Sequence, residues 1–367
     1  MADYSLISSD LKARMRVPYA LRGVPDASLA SIVPLTRPYA QGDIVLTQVE
    51  KIGKNTGLEL TTGRRSTLHV GDQIAVVFGN RYATRQFEGY ARADGEVCDM
   101  LSMGGLCGSV ESKHATLADP TKLQLLGAIG DAEGRPLRLN DFARPALPVA
   151  QRPRTIVVCG TSMDAGKTYT TMSLIRGLGR DGTPVAGIKL TGTAAGRDLW
   201  TMIDAGACIG MDFVDGGWPS TYMCELDDLL TLHNLLLSHA AAAGATWAVI
   251  EVADGLLQRE TAALLQSAAF TQTVDAWVLA AGEPMAASAG VVLLRSWNIE
   301  PLAISGVVSM SQLGIQETTT ATGIVCHTAR DLQTGALQVG NDKSAIVETA
   351  GEPETAPHRP GEPEAIA

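Results

Sequence analysis

The sequence has no apolar run of the roughly 18 residues that a membrane-spanning helix needs. The longest candidates, around residues 229–243 and 280–294, are interrupted by His, Asn, Ser, Glu or Gly. The first residues, Met1-Ala2-Asp3-Tyr4, lack the basic and apolar regions of a signal peptide. A cytoplasmic location is therefore expected. Positive charge is also scarce, for the formal net charge is -10. General nucleic-acid binding needs a basic face, and membrane-surface binding needs clustered Lys and Arg. Neither partner is expected. The six cysteines, Cys98, Cys107, Cys159, Cys208, Cys224 and Cys326, form no C-x-x-C pair and share no ligand spacing with His. That excludes a zinc site of the usual pattern and leaves buried thiols as the expectation. No internal repeat is present.

What is there is globular composition: 367 residues, 46% hydrophobic and 19% charged, enough for two domains. Residues 1–140 read as a smaller β-rich domain. Short β-branched runs such as Ile44-Val45-Leu46 and Ile74-Ala75-Val76-Val77-Phe78 follow Gly-Asp steps, which predicts an antiparallel sheet or small barrel. Pro145, Pro148 and Pro153 mark residues 141–154 as a linker. Residues 155–339 alternate strand and helix. Strands are predicted at 155–159, 185–190, 247–252, 276–280 and 302–308, and helices at 167–178, 226–243, 259–267 and 285–297. That alternation implies a mostly parallel sheet covered by helices, an α/β domain. Residues 340–367 form a polar Gly/Pro/Glu tail expected to be disordered.

Between the first predicted strand and helix lies Gly160-Thr161-Ser162-Met163-Asp164-Ala165-Gly166-Lys167-Thr168, followed by Tyr169. A buried strand, a glycine-bearing loop and a helix start form the context of a phosphate-binding P-loop. The loop's backbone N–H groups and the helix dipole face the phosphate oxygens. Lys167 supplies a point charge for the β- and γ-phosphates, and Thr168 a hydroxyl for Mg²⁺. The strict pattern requires glycine where Thr161 stands; here Gly160 comes one residue earlier.

That displaced glycine resembles the G-T-x-x-x-x-G-K-T loop of dethiobiotin synthetases. Similar longer loops occur in cobyric-acid-type amide synthetases and in the domain-of-unknown-function family 1611, and more distantly in molybdopterin-guanine-dinucleotide accessory GTPases. Lys189-Leu190-Thr191-Gly192 is similar to the family's K-P-x-x-S-G, and 249–256, Val-Ile-Glu-Val-Ala-Asp-Gly-Leu, to its V-E-G-A-G-G. The resemblance implies a P-loop NTPase domain with ATP and Mg²⁺ as cofactors. It implies that Lys189 is a second cation at the transferred phosphoryl group, with a solvated strand-end Lys as the alternative. An acid ending an apolar strand is costly unless it holds something, so Glu251 is the expected Mg²⁺ ligand. Asp254 is either a second site acid or a turn cap, and Asp164 either a Mg²⁺ or acceptor contact or a turn residue. Ser309 stands near the family's G-V-I-x-N asparagine, which reads the base.

Ligands of open α/β sheets bind outside the carboxyl ends of the strands. The segment 196–222 follows the second strand there, so Thr191, Thr193, Arg197, Asp215 and Ser220 are expected around a small-molecule substrate. Arg197 would clamp a carboxylate or phosphate. In the first half, Gly79-Asn80-Arg81-Tyr82 reads mainly as a turn, although Arg81 and Tyr82 have a route to the site across the domain interface. The expected activity is γ-phosphoryl transfer that activates a carboxylate for ligation or cyclisation. A small-molecule kinase, a nucleotide-switch GTPase and a CoA-dependent acyltransferase are the alternatives. A homo-oligomer is the expected assembly.

Overall fold

A computed structural model describes residues 4–149, 151–337 and 339. The expected disordered tail, 340–367, lies outside the described residues. Among the described residues the first region holds ten strands: β1 (Ser5–Leu6), β2 (Ser31–Val33), β3 (Ile44–Lys51), β4 (Gly57–Glu59), β5 (Arg65–Thr67), β6 (Gln73–Phe78), β7 (Phe87–Tyr90), β8 (Val97–Met100), β9 (Leu106–Lys113) and β10 (Thr121–Gly130). A short helix, α1 (Ser9–Arg14), follows β1.

Strand pairing runs β10–β3–β6–β9–β8 and back to β10, so five strands close into a barrel. The antiparallel expectation needs one correction. β6 and β9 pair in parallel, Val77 opposite Leu106, because β7 and β8 intervene in the chain and carry it back to the starting end. Two Gly-Asp steps share one device. Gly42 and Gly71 take φ of 93° and 90°, and the following Asp43 and Asp72 accept the N–H groups of Ala40 and His69 at 2.8 and 2.7 Å.

The second region holds β11 (Arg154–Gly160), α2 (Lys167–Leu178), β12 (Val185–Lys189), α3 (Arg197–Asp204), β13 (Ile209–Asp212), α4 (Leu226–Ala242), β14 (Trp247–Glu251), α5 (Arg259–Gln266), α6 (Ala268–Thr271), β15 (Ala276–Ala280), α7 (Pro284–Ser296), β16 (Ala303–Ser305), α8 (Gln312–Thr322) and α9 (Ala329–Gln333). The six strands run in the order β13-β12-β14-β11-β15-β16, and every pair is parallel. The predicted strand at 302–308 is shorter than expected, since Gly306 takes a φ of 97° and ends it. β13 and α3 were not predicted. Both lie in the polar segment after β12, where a four-residue strand carries almost no periodic signal.

Because a strand's side chains alternate, each strand serves two cores. In β11, Ile156 and Val158 face the layer of α2, α3 and α9, while Val157 and Cys159 face α4, α5 and α7. In the barrel, Ile74, Val76 and Phe78 of β6 fill the barrel interior. Ala75 and Val77 point outward and join the same apolar cluster as Val157 and Ile188 of the parallel sheet. One continuous core thus spans both regions. Of the cysteines, Cys208 departs from the buried expectation: it is exposed in the turn before the edge strand β13. Among the described residues no helix is long and apolar enough to cross a membrane.

Candidate functional site

The phosphate loop is held by its neighbours' backbones. Thr161 N–H donates to Ala280 O at 3.0 Å, Leu256 N–H to Gly160 O at 3.0 Å, and Val307 N–H to Ala165 O at 3.0 Å. Glycines stand where backbones or chains touch. A Cβ on Gly160 would lie 2.8 Å from the Lys167 side chain, which folds back over it. Gly166 and Gly306 both have φ of 97°, and a Cβ on Gly166 would come within 2.8 Å of Gly306 Cα. Thr161 is not among the positive-φ residues; the left-handed turn falls at Asp164, φ 64°. The glycine of the strict motif is therefore not required at 161. β11, the loop and α2, set centrally in a parallel sheet, complete the arrangement. This is a P-loop NTPase fold.

Lys167 Nζ donates to Ser162 O at 2.9 Å and Asp254 O at 2.6 Å. Burial holds its pKa below the ordinary Lys value, against the pull of the Glu251 and Asp254 carboxylates. Thr168 Oγ1 lies 3.2 Å from Glu251 Oε1 and 3.2 Å from Asp198 Oδ1. Lys189 forms an ion pair with Asp198. Burial depresses Lys189, but Asp198 and Glu251 together hold it above the usual Lys range. Glu251 is pushed up to about 7 by burial first and by the Asp198 charge second, with Lys189 and Lys167 opposing. Its Oε2 has no hydrogen-bond partner among the described residues. Asp254, also in a left-handed backbone conformation at φ 65°, is raised to about 6, mainly by burial.

These groups line one cavity of about 500 Å³. Its wall includes Met163, Asp164, Gly166, Lys167, Thr168 and Tyr169 of the loop and helix, then Lys189, Thr193, Arg197, Asp198, Glu251 and Asp254. Asp198 was not selected from the sequence as a site residue. In the sequence it is one of several acids in the polar segment 196–222, and only the fold brings it to Thr168 and Lys189. Arg81, Tyr82, Ala83 and Gln86 of the β-rich region close the other side.

Several expected residues lie elsewhere. Asp215 is not in the cavity. It pairs with Arg22 at 2.7 Å and Arg144 at 3.3 Å and caps its own turn through Asp212 N–H. Ser220 is fully buried in a backbone bridge with Thr193, and its carbonyl accepts from Gln41. The Thr191 hydroxyl accepts Ala253 N–H at 2.8 Å and so holds the chain after β14 rather than a ligand. Asp164 stays in the cavity wall, but its exposed carboxylate pairs with Arg85 at 3.5 Å. Ser162 Oγ donates to Met163 O, and Thr161 Oγ1 is buried without a partner among the described residues. Ser309 lines a second cavity of about 500 Å³. That cavity shares Gly166 and Tyr169 with the first, and is walled by Val307, Met310, Thr328 and Arg330.

A Mg²⁺ ion would need no dedicated protein cage here. Magnesium keeps waters and takes one or two carboxylates plus phosphate oxygens. Thr168, Glu251 and Asp198 form such an oxygen set, and the orphaned buried Oε2 of Glu251 fits a ligand role.

No family model and no curated protein matches the chain. Among solved structures it is similar to the signal recognition particle 54 kDa protein from Aeropyrum pernix in complex with GDP: 15% identity, TM-score 0.37, covering 53% of this chain and 47% of that one. FtsY from Elizabethkingia anophelis in complex with GDP gives 14% identity, TM-score 0.35, and coverage of 55% and 65%. A DUF1611 family protein from Anabaena variabilis gives 16% identity, TM-score 0.35, and coverage of 53% and 60%. The chain spans less than two thirds of the length of each.

Proposed function

We propose that this protein binds ATP with Mg²⁺ at the phosphate loop and transfers the γ-phosphoryl group to a small molecule held in the adjoining cavity. The observation that carries this reading is the convergence of Lys167, Lys189, Thr168, Asp198 and Glu251 on one cavity at the carboxyl ends of β11, β12 and β14. Phosphoryl transfer asks little covalent chemistry of a protein. It asks for positioning and for opposite charge around the equatorial oxygens. Lys167 sits over the loop with its Nζ already oriented by two carbonyls. Lys189, kept charged by its acidic neighbours, provides the second cation. Mg²⁺ held by Thr168, Glu251 and Asp198 would neutralise charge developing between the β- and γ-phosphates.

In the reaction the acceptor's oxygen forms a bond to Pγ while the bond from Pγ to the bridging oxygen breaks, leaving ADP. With a carboxylate acceptor the product is an acyl phosphate, which an amine captures with release of inorganic phosphate. The likeness of the loop and of the Lys189 and Glu251 segments to dethiobiotin synthetases supports that ligase outcome. The second cavity suits the base. Val307, Met310 and Tyr169 offer flat apolar contact, and Ser309, Thr328 and Arg330 offer polar groups. No carboxylate stands among the described residues lining it, so the N–H groups on guanine's Watson–Crick edge would lack an acidic partner. Adenine fits better.

The test is calorimetric titration with Mg–ATP, Mg–GTP and acetyl-CoA, followed by product analysis. Saturable Mg-dependent ATP binding is expected, with inorganic phosphate released when both a carboxylate and an amine acceptor are supplied. A stable phosphorylated product would identify a kinase instead. Binding of none of the three ligands overturns the reading.

A further inference from the structure

The β-rich region reaches into the cavity with a buried cation that the phosphate end does not use. Arg81 follows β6 and is pinned by a two-way backbone bridge with Gly89, at 2.8 and 3.0 Å. It lines the same cavity as Lys167, Glu251 and Asp254 of the parallel-sheet region. Only 8% of the residue is exposed. Nη2 donates to Gln86 Oε1 at 2.9 Å, while Nε and Nη1 have no partner among the described residues. Burial pushes the guanidinium down to about 10, with the Asp254 charge opposing, so it stays protonated at neutral pH.

No carboxylate among the described residues is bonded to this group. Asp254 acts on it only as a neighbouring charge, and Asp198 is taken by Lys189. A buried guanidinium without its complement is an unusual thing to keep unless a ligand supplies one. Nη2 carries two N–H groups, and Gln86 takes one. The other, together with the sealed Nε–H or Nη1–H, makes up a two-point edge of the kind that matches a carboxylate or a phosphate, which a turn of the side chain would bring to the cavity. Tyr82, next along the chain, lines the cavity beside it and rests on the Tyr222 ring at 5.5 Å.

We propose that Arg81 and Gln86 form a second anion subsite, separate from the phosphate end at Lys167, that takes an oxyanion group of the co-substrate. This rests on the proposed reading of the cavity as a joint nucleotide and acceptor site. It gives the β-rich region a part in choosing the acceptor: a carboxylate or phosphate monoester is held across the cavity from the loop, and a neutral analogue is not.

The test uses the full chain with Mg–AMP-PNP present at saturation, so that the phosphate loop is filled. Succinate and glycerol 3-phosphate are titrated separately. At least one is expected to bind saturably, and which one binds distinguishes a carboxylate acceptor from a phosphorylated one. Arg81→Gln should weaken that anion by about tenfold or more, the usual worth of a hydrogen bond to a charged group, while the affinity for Mg–AMP-PNP stays within about twofold. Gln86→Glu guards against a folding defect in the first variant. It places an internal carboxylate on the guanidinium and should abolish anion binding in a folded protein. Lys167→Ala should lose AMP-PNP and keep the anion. The proposal is overturned if neither anion binds the wild type, or if Gln86→Glu binds it as well as wild type does. Failure of AMP-PNP to bind would sink the nucleotide reading alone, since the anion titrations can be repeated without it in wild type and Lys167→Ala.

Discussion

The Thr168 hydroxyl stands 3.2 Å from the Glu251 carboxylate, and the other oxygen of that carboxylate has no partner among the described residues. A loop hydroxyl and a strand-end acid are thus already placed side by side. Glu251 is pushed up to about 7, and magnesium requires it ionised. Mg-dependent nucleotide affinity should therefore rise with pH through about 7 and level off above about 8. Glu251→Gln should flatten that profile and raise the Mg²⁺ requirement by about 10–100-fold. Titrations of Mg²⁺ from acid to mildly alkaline pH would show this. An unchanged profile in the variant removes Glu251 from the metal site.

The same shifts act on the ligand-free protein with the opposite sense. Glu251 and Asp254 are raised to about 7 and about 6 in the folded state. The folded chain holds those protons more tightly than the unfolded chain, so their contribution to stability is present at low pH. It is lost as pH climbs from the ordinary carboxylate range through about 7. Replacing Glu251 with Gln should make the ligand-free protein more stable than wild type at pH about 7.5 and nearly equal to it at pH about 5. Thermal melts at the two pH values check this; a variant less stable at the higher pH would contradict it.

Lys167→Ala should reduce turnover by about 10³-fold or more, the scale of losing one preorganised electrostatic group. The fold should survive, because Gly160, Gly166 and the backbone bonds from Thr161 and Leu256 set the loop without the lysine side chain. Steady-state rates paired with circular dichroism separate the two effects. Wild-type turnover in this variant would leave the phosphate-loop assignment without support.

Arg22 joins the two regions. It pairs with Asp212 and Asp215, both at 2.7 Å, while Tyr19 donates to Asp212 at 2.5 Å. Asp212 is almost fully buried. Removing the arginine leaves buried Asp212 without a cation and Asp215 with only the longer pair to Arg144, and the cost should be about 3–5 kcal/mol, read by denaturant unfolding. Asp215→Asn should lower stability and leave KM for the acceptor unchanged. A large KM effect would return Asp215 to the substrate site.

Gly306→Ala tests the backbone contact beneath the loop. The new Cβ would lie 2.2 Å from Ala165 O, at a φ of 97°. Relief requires moving Ala165 or the turn, and either shifts the phosphate loop. Nucleotide affinity should fall by about tenfold or more even where the protein still folds, since misplacing a preorganised site is costly. Unaltered affinity would show that the loop tolerates the displacement.

The parallel sheet apart from its edge strand β13 was readable because strands such as β14 and β15 are buried on both faces and appear as apolar runs, with Lys189 and Glu251 standing at carboxyl ends. The loop was readable because its lysine, hydroxyl and glycines are contiguous. What escaped the sequence depends on partners far along the chain. Asp215 looked like a substrate residue because Arg22, which neutralises it, lies 193 residues away. Asp198 looked like one more acid of the polar segment 196–222 because Thr168 and Lys189 meet it only once α3 has formed. Arg81 looked like a turn residue because its setting is made by the other region's cavity wall.

The alternation of β6 leaves a last consequence. Ala75 and Val77 share their apolar cluster with Val157 and Ile188, so neither region owns the surface between them. Cutting the chain before Arg154 would free two halves that each present water with what had been interior. Such fragments should aggregate rather than survive as separate soluble units. For the same reason a hinge motion that parted β6 from the parallel sheet would expose that shared cluster to water.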